Sequence, residues 1–85
     1  MNMNKYLNES GFMEITDINL ATCAYYFGFK IDSIDKTNPS RAVFIIERDA
    51  NLDSLIEGFW SKTLLVDPLT YFNCLKEIKT RLYQS

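Results

Sequence analysis

The segment RAVFIIER, residues 41–48, carries the longest uninterrupted apolar run of the chain, from Ala42 to Ile46. β-Branched and aromatic residues dominate this run, which is typical of a β-strand. Because successive side chains of a strand point to opposite faces, an unbroken apolar run makes both faces of this strand apolar. Such a strand is covered on both sides, and the cover can come from helices or from a second subunit.

The residues before this strand predict its hairpin partner. In FKIDSIDK, residues 29–36, Phe29 and Ile31 alternate as in a strand, whereas Ile34 has the opposite parity. A one-residue β-bulge near Asp32 and Ser33 would return Ile34 to the same face. The polar sequence TNPS, residues 37–40, then supplies a turn. Together the two runs predict a β-hairpin.

One helix is predicted on each side of the hairpin. The first begins at Thr16, whose hydroxyl suits an N-cap, and ends at Gly28, a typical left-handed cap. The second runs from Asn51 as N-cap to about Lys62. Apolar residues recur at helical spacing in both helices: Leu20, Cys23, Ala24 and Phe27 in the first, and Leu52, Leu55, Ile56 and Phe59 in the second. These two stripes are predicted to face the core.

The sequence LLVDP, residues 64–68, introduces a last helix. Asp67 fits the N-cap position and Pro68 the first helical position, where a missing N–H costs nothing. The helix places Tyr71, Cys74, Leu75, Ile78 and Leu82 on one side and Lys76, Lys79 and Thr80 on another. Residues 64–66 fit either a short third strand beside the hairpin or an extended linker that packs on the core.

These elements predict a small single α+β domain in the order helix, β-hairpin, helix, helix. Residues 1–14 are polar and interrupted by Gly11, so we assign them to an N-terminal arm and residues 15–85 to the domain. A chain this short buries only about 60–65% of its unfolded surface, and small domains often complete their cores by self-association. We therefore expect a homodimer.

The composition argues against an enzyme. The chain has no histidine, so the usual general base near neutral pH and a common metal ligand are both missing. Cys23 and Cys74 have no metal-ligand spacing, and the three glycines are too scattered for a phosphate-binding loop. We predict no catalytic residue, metal or cofactor. No apolar run is long enough to span a bilayer and no signal peptide is expected, so we expect a cytoplasmic protein without a membrane partner.

Several segments together resemble a known family. They are TDINLATCAYYFGFKI (residues 16–31), NPSRAVFIIE (residues 38–47), the pair Phe59 and Trp60, and LVDPLTYFNCLKEIKTRLY (residues 65–83). The pattern is similar to a family of small prokaryotic and phage-encoded domains of unknown function. The resemblance implies a compact cytoplasmic domain, often encoded by phages or other mobile elements. It implies no catalytic or binding residues.

Two sets of residues are candidates for a binding surface. Tyr25, Tyr26 and Trp60 flank the apolar stripes of their helices, and such residues often anchor protein interfaces. The alternative is that they close the rim of the core. The second set is basic and comprises Lys62, Lys76, Lys79 and Arg81, with Tyr83 nearby. It could contact phosphates and stack a base, or it could be a solvated helical face.

We therefore expect a non-enzymatic module that binds a protein partner through the aromatic set. The alternative is a nucleic-acid-binding accessory domain that uses the basic C-terminal helix. The net charge of −2 favours the first function, because nucleic-acid-binding domains usually carry a basic excess.

Overall fold

The computed structural model describes residues 11–84. In chain order the elements are β1 (Phe12–Ile15), α1 (Ile18–Tyr26), β2 (Ile31–Asp35), β3 (Val43–Glu47), α2 (Ala50–Ser61) and α3 (Pro68–Tyr83). The strands form one three-stranded antiparallel sheet in the order β1-β3-β2. The predicted small α+β domain is confirmed.

The predicted hairpin is formed by β2 and β3, and its bulge lies where the sequence placed it. The register of β2 against β3 shifts between Ile31 and Ser33. Beyond the shift, Ile34 lies opposite Phe44 and packs against the same core as Ile31. The extra residue therefore corrects the parity of Ile34, as expected for a β-bulge.

The third strand is β1, and residues 64–66 form the extended linker that was the alternative prediction. β3 has two edges and the hairpin satisfies only one of them. β1 pairs with the other edge, from Phe12 opposite Glu47 to Ile15 opposite Phe44. The sheet thus begins before the predicted domain boundary at residue 15. Residues 1–10 of the predicted arm lie outside the described residues.

The core lies between one face of the sheet and the three helices. It comprises Met13, Ile15, Ile31, Phe44 and Ile46 from the strands, Leu20, Ala21 and Ala24 from α1, Leu52 and Leu55 from α2, and Ile78 from α3. On the opposite face of β3, Val43 and Ile45 are only half-buried within the described chain. Within residues 11–84, the predicted cover of β3 is therefore complete on its inner face only.

Helix α1 begins one residue later than predicted. Asp17 rather than Thr16 is the N-cap, and its carboxylate accepts the N–H groups of Asn19 at 2.8 Å and Leu20 at 3.2 Å. A carboxylate also interacts favourably with the positive end of the helix dipole, whereas a neutral hydroxyl interacts with it more weakly. The predicted end is confirmed, because Gly28 follows the last turn with a φ of 97°, a conformation that favours glycine.

Helix α2 likewise begins at an aspartate instead of the predicted residue. Asp49 rather than Asn51 is the N-cap, and its carboxylate accepts the N–H of Leu52 at 2.9 Å. The helix ends at Lys62, which adopts the left-handed conformation with a φ of 63°. The N–H of Lys62 donates to the carbonyl of Phe59.

Helix α3 begins as predicted, with Asp67 as N-cap and Pro68 in the first turn. The Asp67 carboxylate accepts both the N–H and the hydroxyl of Thr70, each at 2.8 Å. The N–H and then the hydroxyl of Thr70 hold the pKa of Asp67 below its usual value. These contacts identify Asp67 as the residue that fixes the start of α3.

We expect Asp67→Ala to lower the melting temperature by a few degrees, because Thr70 loses its acceptor. Asp67→Asn is the matched control, since the amide oxygen still accepts the Thr70 N–H. The lowered pKa means that the charged cap stabilises the fold above the unfolded-state pKa of about 3.9. This stabilisation is lost as the pH falls through the folded-state pKa. Thermal melts at neutral and acidic pH check the expectation, and equal melting of native protein and Asp67→Ala would contradict it.

Gly58 lies inside α2 at the place where the linker after the helix packs back. A Cβ at this position would lie 2.8 Å from Cδ2 of Leu64 and 3.3 Å from its Cγ. Leu64 is half-buried and packs against the core. The missing side chain of Gly58 therefore lets the linker approach the helix closely.

We expect the effect of Gly58→Ala on stability to depend on Leu64. Replacing a glycine in a helix interior by alanine by itself raises the free energy of unfolding by about 0.5–1 kcal/mol. In the native protein, contact of the new Cβ with Leu64 should cancel most of this increase. In the Leu64→Ala variant that contact is missing, so Gly58→Ala should give the full increase. The two substitutions should therefore couple by about 1 kcal/mol. Denaturant unfolding of the native protein, both single variants and the double variant measures this coupling. Additive effects would contradict the packing argument.

Candidate functional site

The two tyrosines of the predicted aromatic set make contacts within the chain. The hydroxyl of Tyr25 donates to Oε1 of Glu77 in α3. The hydroxyl of Tyr26 accepts the N–H of Asp67 at 2.9 Å, just before α3 begins. A third tyrosine, Tyr71 of α3, donates to the side-chain oxygen of Asn19 at 2.9 Å. All three hydroxyls therefore join the region of α1 to α3 or to the linker before it.

The third member of the predicted aromatic set, Trp60, lies on α2. It is 55% exposed, and its ring meets the edge of Phe59 with a centroid distance of 4.9 Å. Within residues 11–84, no hydrogen bond or ring contact joins Trp60 to Tyr25 or Tyr26. The structure therefore brings the two tyrosines to the α3 side of α1 and leaves Trp60 on another helix.

The predicted basic set is also divided. Lys76, Lys79 and Tyr83 are exposed and recur at helical spacing along one side of α3. The guanidinium of Arg81 instead donates to the carbonyl of Ile31, with N–O distances of 3.4 and 3.5 Å. Lys62 is exposed at the end of α2. Only three of the five predicted residues therefore share one surface of α3.

The sequence prediction missed three large apolar side chains that are strongly exposed. Leu65 in the linker is 89% exposed, Leu69 in the first turn of α3 is 68% exposed and Phe72 is 53% exposed. For Leu69 and Phe72 the sequence did contain a signal. They lie three residues apart, on a side of α3 away from the apolar side that contains Ile78, and this position predicts that they are exposed.

Trp60, Leu65, Leu69 and Phe72 all lie along residues 60–72, which include the end of α2, the linker and the start of α3. We call these four side chains the 60–72 set. Their shared property is that each leaves more than half of its surface exposed within the described chain. Single exposed apolar residues are ordinary on protein surfaces, whereas large contiguous apolar patches often belong to interaction sites, so the 60–72 set is a candidate for such a site.

The titratable groups give little support for nucleophilic chemistry. Burial, followed by the carboxylate of Asp17, raises the pKa of the Cys23 thiol. Burial, followed by the carboxylate of Glu77, raises the pKa of the Cys74 thiol. Both shifts disfavour the thiolate, which is the nucleophilic form of cysteine.

Two further findings concern metals and membranes. Nowhere in residues 11–84 do three or more potential metal-binding side chains of the His, Cys, Asp or Glu types come together. Among the helices in this part of the chain, none combines the length and apolar character that a membrane crossing requires.

The geometry defines a small α+β domain whose exposed apolar side chains concentrate in one segment. Residues 11–84 match the model of a family described as Domain of unknown function DUF5659, and the chain belongs to this family. This match confirms the predicted resemblance to a family of unknown-function domains, and the matched region includes β1. Searches of curated proteins and of solved structures gave no match.

We expect Tyr25→Phe to destabilise the fold by about 1 kcal/mol, because it removes the hydrogen bond to Glu77 while keeping the ring. That bond is also the main cause of the raised pKa of Tyr25. A raised folded-state pKa means that the contribution of the hydroxyl is complete below the unfolded-state pKa of about 10. It is lost as the pH rises through the folded-state pKa, so the difference between native protein and Tyr25→Phe should shrink there.

Denaturant unfolding on both sides of about pH 10 measures this difference. Tyr83→Phe is the matched control, because the Tyr83 hydroxyl makes no hydrogen bond with the described residues and its removal should change little. If Tyr25→Phe and Tyr83→Phe unfold alike, the contact between Tyr25 and Glu77 does not stabilise the fold.

Proposed function

We propose that this chain is a non-enzymatic interaction module that binds a protein partner through exposed aromatic and aliphatic side chains. The observation that carries the proposal is the exposure of the 60–72 set. Large apolar side chains release water when a partner covers them, and each fully buried one contributes about 1.5–3 kcal/mol. A small number of such anchors dominates the free energy of a typical protein interface.

In this proposal the members of the predicted aromatic set have different roles, because Tyr25 and Tyr26 make side-chain hydrogen bonds within the described chain and Trp60 does not. Their hydroxyls are engaged with Glu77 and with the backbone of Asp67, so they support the fold around α3. Trp60 has no hydrogen-bond partner within residues 11–84 and more than half of its surface is exposed. We therefore place the binding energy on Trp60 and its neighbours in the segment, rather than on the tyrosines.

A non-enzymatic role fits the available functional groups. The chain has no histidine, and the raised pKa of each cysteine thiol disfavours the reactive thiolate. A serine or threonine in this chain thus has no ordinary activating base. Binding requires none of these groups.

The alternative function is nucleic-acid binding through Lys76, Lys79 and Tyr83. Their exposure on one side of α3 favours this alternative, because a row of lysines beside an aromatic ring can contact phosphates and stack a base. Arg81 adds little to such a row, since its guanidinium faces the carbonyl of Ile31. The net charge of −2 also opposes the approach of a polyanion.

The biological setting belongs to the proposal as well. We propose a cytoplasmic location and an origin in a phage or another mobile element, on the strength of the resemblance alone. A second copy of the chain is one possible protein partner, as in the predicted homodimer. The half-buried Val43 and Ile45 on the outer face of the sheet support self-association, because a partner would complete their cover.

Affinity capture from a lysate of the source cells, with and without nuclease, tests the proposal. A protein partner should remain bound after nuclease treatment. Trp60→Ala should weaken its binding by about 2 kcal/mol or more. Lys62→Ala is the matched control, because Lys62 is also exposed at the end of α2 and is not apolar. Light scattering of the purified chain shows whether the partner is a second copy.

The nucleic-acid alternative predicts a different outcome. Nuclease should then release the bound material, and the affinity for an oligonucleotide should fall with added salt by a logarithmic slope of about −0.7 to −0.9 per phosphate contacted. Equal binding by Trp60→Ala and Lys62→Ala, together with steep salt dependence, would contradict the proposed function.

A further inference from the structure

Helix α3 carries two rows of side chains at helical spacing, one on each side. The inner row packs toward α1 and the sheet and contains Tyr71, Cys74, Leu75, Ile78 and Leu82, all at least half-buried. The outer row contains Leu69, Phe72, Lys76 and Lys79, followed on the same side by Tyr83, all exposed. We call Leu69, Phe72, Lys76 and Lys79 the outer stripe. Their separations of three, four and three residues are the spacing by which one helix packs along another.

The outer stripe changes character along its length. Leu69 and Phe72 make its first half apolar, and Lys76 and Lys79 make its second half basic. The ammonium of Lys76 lies 5.5 Å from the centroid of the Phe72 ring, so the two halves meet in a cation–π contact. A partner that fits the whole stripe must therefore offer apolar side chains at one end and negative charge at the other.

The positive charge of the outer stripe is not neutralised by the described chain. The ion pair found in residues 11–84 joins Arg48 to Asp53 at 2.8 Å, and neither Lys76 nor Lys79 has a carboxylate within ion-pair distance there. A partner carboxylate could thus pair with either lysine without displacing an existing ion pair. Electrostatic complementarity of this kind raises the association rate and selects against wrong partners.

We propose that the outer stripe is the docking site for an acidic amphipathic helix of a partner protein. This inference rests on the proposed function and specifies the chemistry of the partner. The stripe spans residues 69–79, which is about 15 Å of helix and about three turns. A docked helix would place apolar side chains over Leu69 and Phe72, and Asp or Glu side chains beside Lys76 and Lys79.

Three other occupants fit the stripe less well. A second copy that paired through the same stripe would bring together four lysines with no carboxylate from the stripe, so their charges would be desolvated without compensation. A nucleic acid would gain only about two phosphate contacts, with a logarithmic salt slope of about −1.4 to −1.8. Basic residues that hold proteins on anionic membranes usually come in clusters of about four to eight.

A synthetic helical peptide of about three heptads provides the probe. It carries leucine along one stripe and glutamate at the two stripe positions that would face Lys76 and Lys79. Fluorescence anisotropy measures its binding to the full chain and to a double variant, Lys76→Glu with Lys79→Glu. We expect the double variant to bind at least about tenfold more weakly. A second peptide with lysine in place of both glutamates should prefer the double variant over the native protein.

A matched control separates a specific site from the general effect of charge. Lys30→Glu with Arg41→Glu changes the net charge by the same amount at two exposed basic residues outside the stripe and outside residues 60–72. This control should bind the glutamate peptide like the native protein. Circular dichroism confirms that each variant is folded, which we expect because all four substituted residues are exposed. Phe72→Ala, a change at the apolar half of the stripe, should also weaken the binding of the glutamate peptide.

Several results would overturn the inference. They are no binding of the glutamate peptide to the native protein, equal weakening in the two double variants, and no preference of the lysine peptide for the charge-reversed chain. Tighter charge-dependent binding to anionic vesicles or to a single-stranded oligonucleotide would assign the stripe to those ligands instead. If Trp60→Ala abolishes capture of a protein partner while Lys76→Glu with Lys79→Glu preserves it, this inference fails and the proposed function stands.

Discussion

The pairing of β3 with a strand on each side is the constraint from which the rest of the structure follows. β1 and β2 both bond to β3, so each would lack a partner in the described sheet without it. A two-stranded hairpin is only marginally stable in water, whereas three strands with an apolar face can support a domain. In the sequence, α1 and β2 lie between β1 and its partner strand β3. That order obliges α1 to cross over the inner face of the sheet, where its apolar side chains meet Phe44 and Ile46.

Helix α1 then determines what the other two helices can bury. Residues 20–24 of α1 are all buried, and because consecutive residues of a helix point in different directions, α1 is enclosed nearly all round. It is surrounded by the sheet, α2 and α3, and both of those helices pack against it. Helix α3 has a single fully buried residue, Ile78. Within residues 11–84 no further element covers the outer side of α3, so the exposure of Leu69 and Phe72 there follows from the architecture.

The parts of the fold that local chemistry determines could be predicted from the sequence. The parity of Ile34 indicated the bulge, and Asp67 with Pro68 indicated the start of α3, because each depends on residues close together in the chain. β1 was missed because its pairing with β3 is non-local, and three of its four residues lay in the segment assigned to the arm. The caps at Asp17 and Asp49 differ from the predicted ones by one or two residues, which reflects the exact backbone path into each helix.

The candidate surface was harder to predict for a related physical reason. Both rows of α3 have helical spacing, and the spacing does not tell which row meets α1. The inner row was identified correctly because it is apolar along its whole length. Leu65, by contrast, lies in a linker, where no helical periodicity indicates which side chains are buried. Its exposure becomes clear only in the structure, where Leu64 packs close to Gly58 of α2 and Leu65 is 89% exposed.

The exposed side of α3 is held in place along the whole helix. Tyr26 bonds to the backbone at its start, Tyr25 bonds to Glu77 in its middle, and the ammonium of Lys36 bonds to the carbonyl of Leu82 near its end. These contacts come from different elements, α1 and the end of the hairpin, and so they fix the rotation of α3 about its axis. A surface that is already oriented loses less conformational entropy on binding than a mobile one. Leu69 and Phe72 are thus exposed because the helix is fastened with that side outward, which is the orientation that the proposed docking site requires.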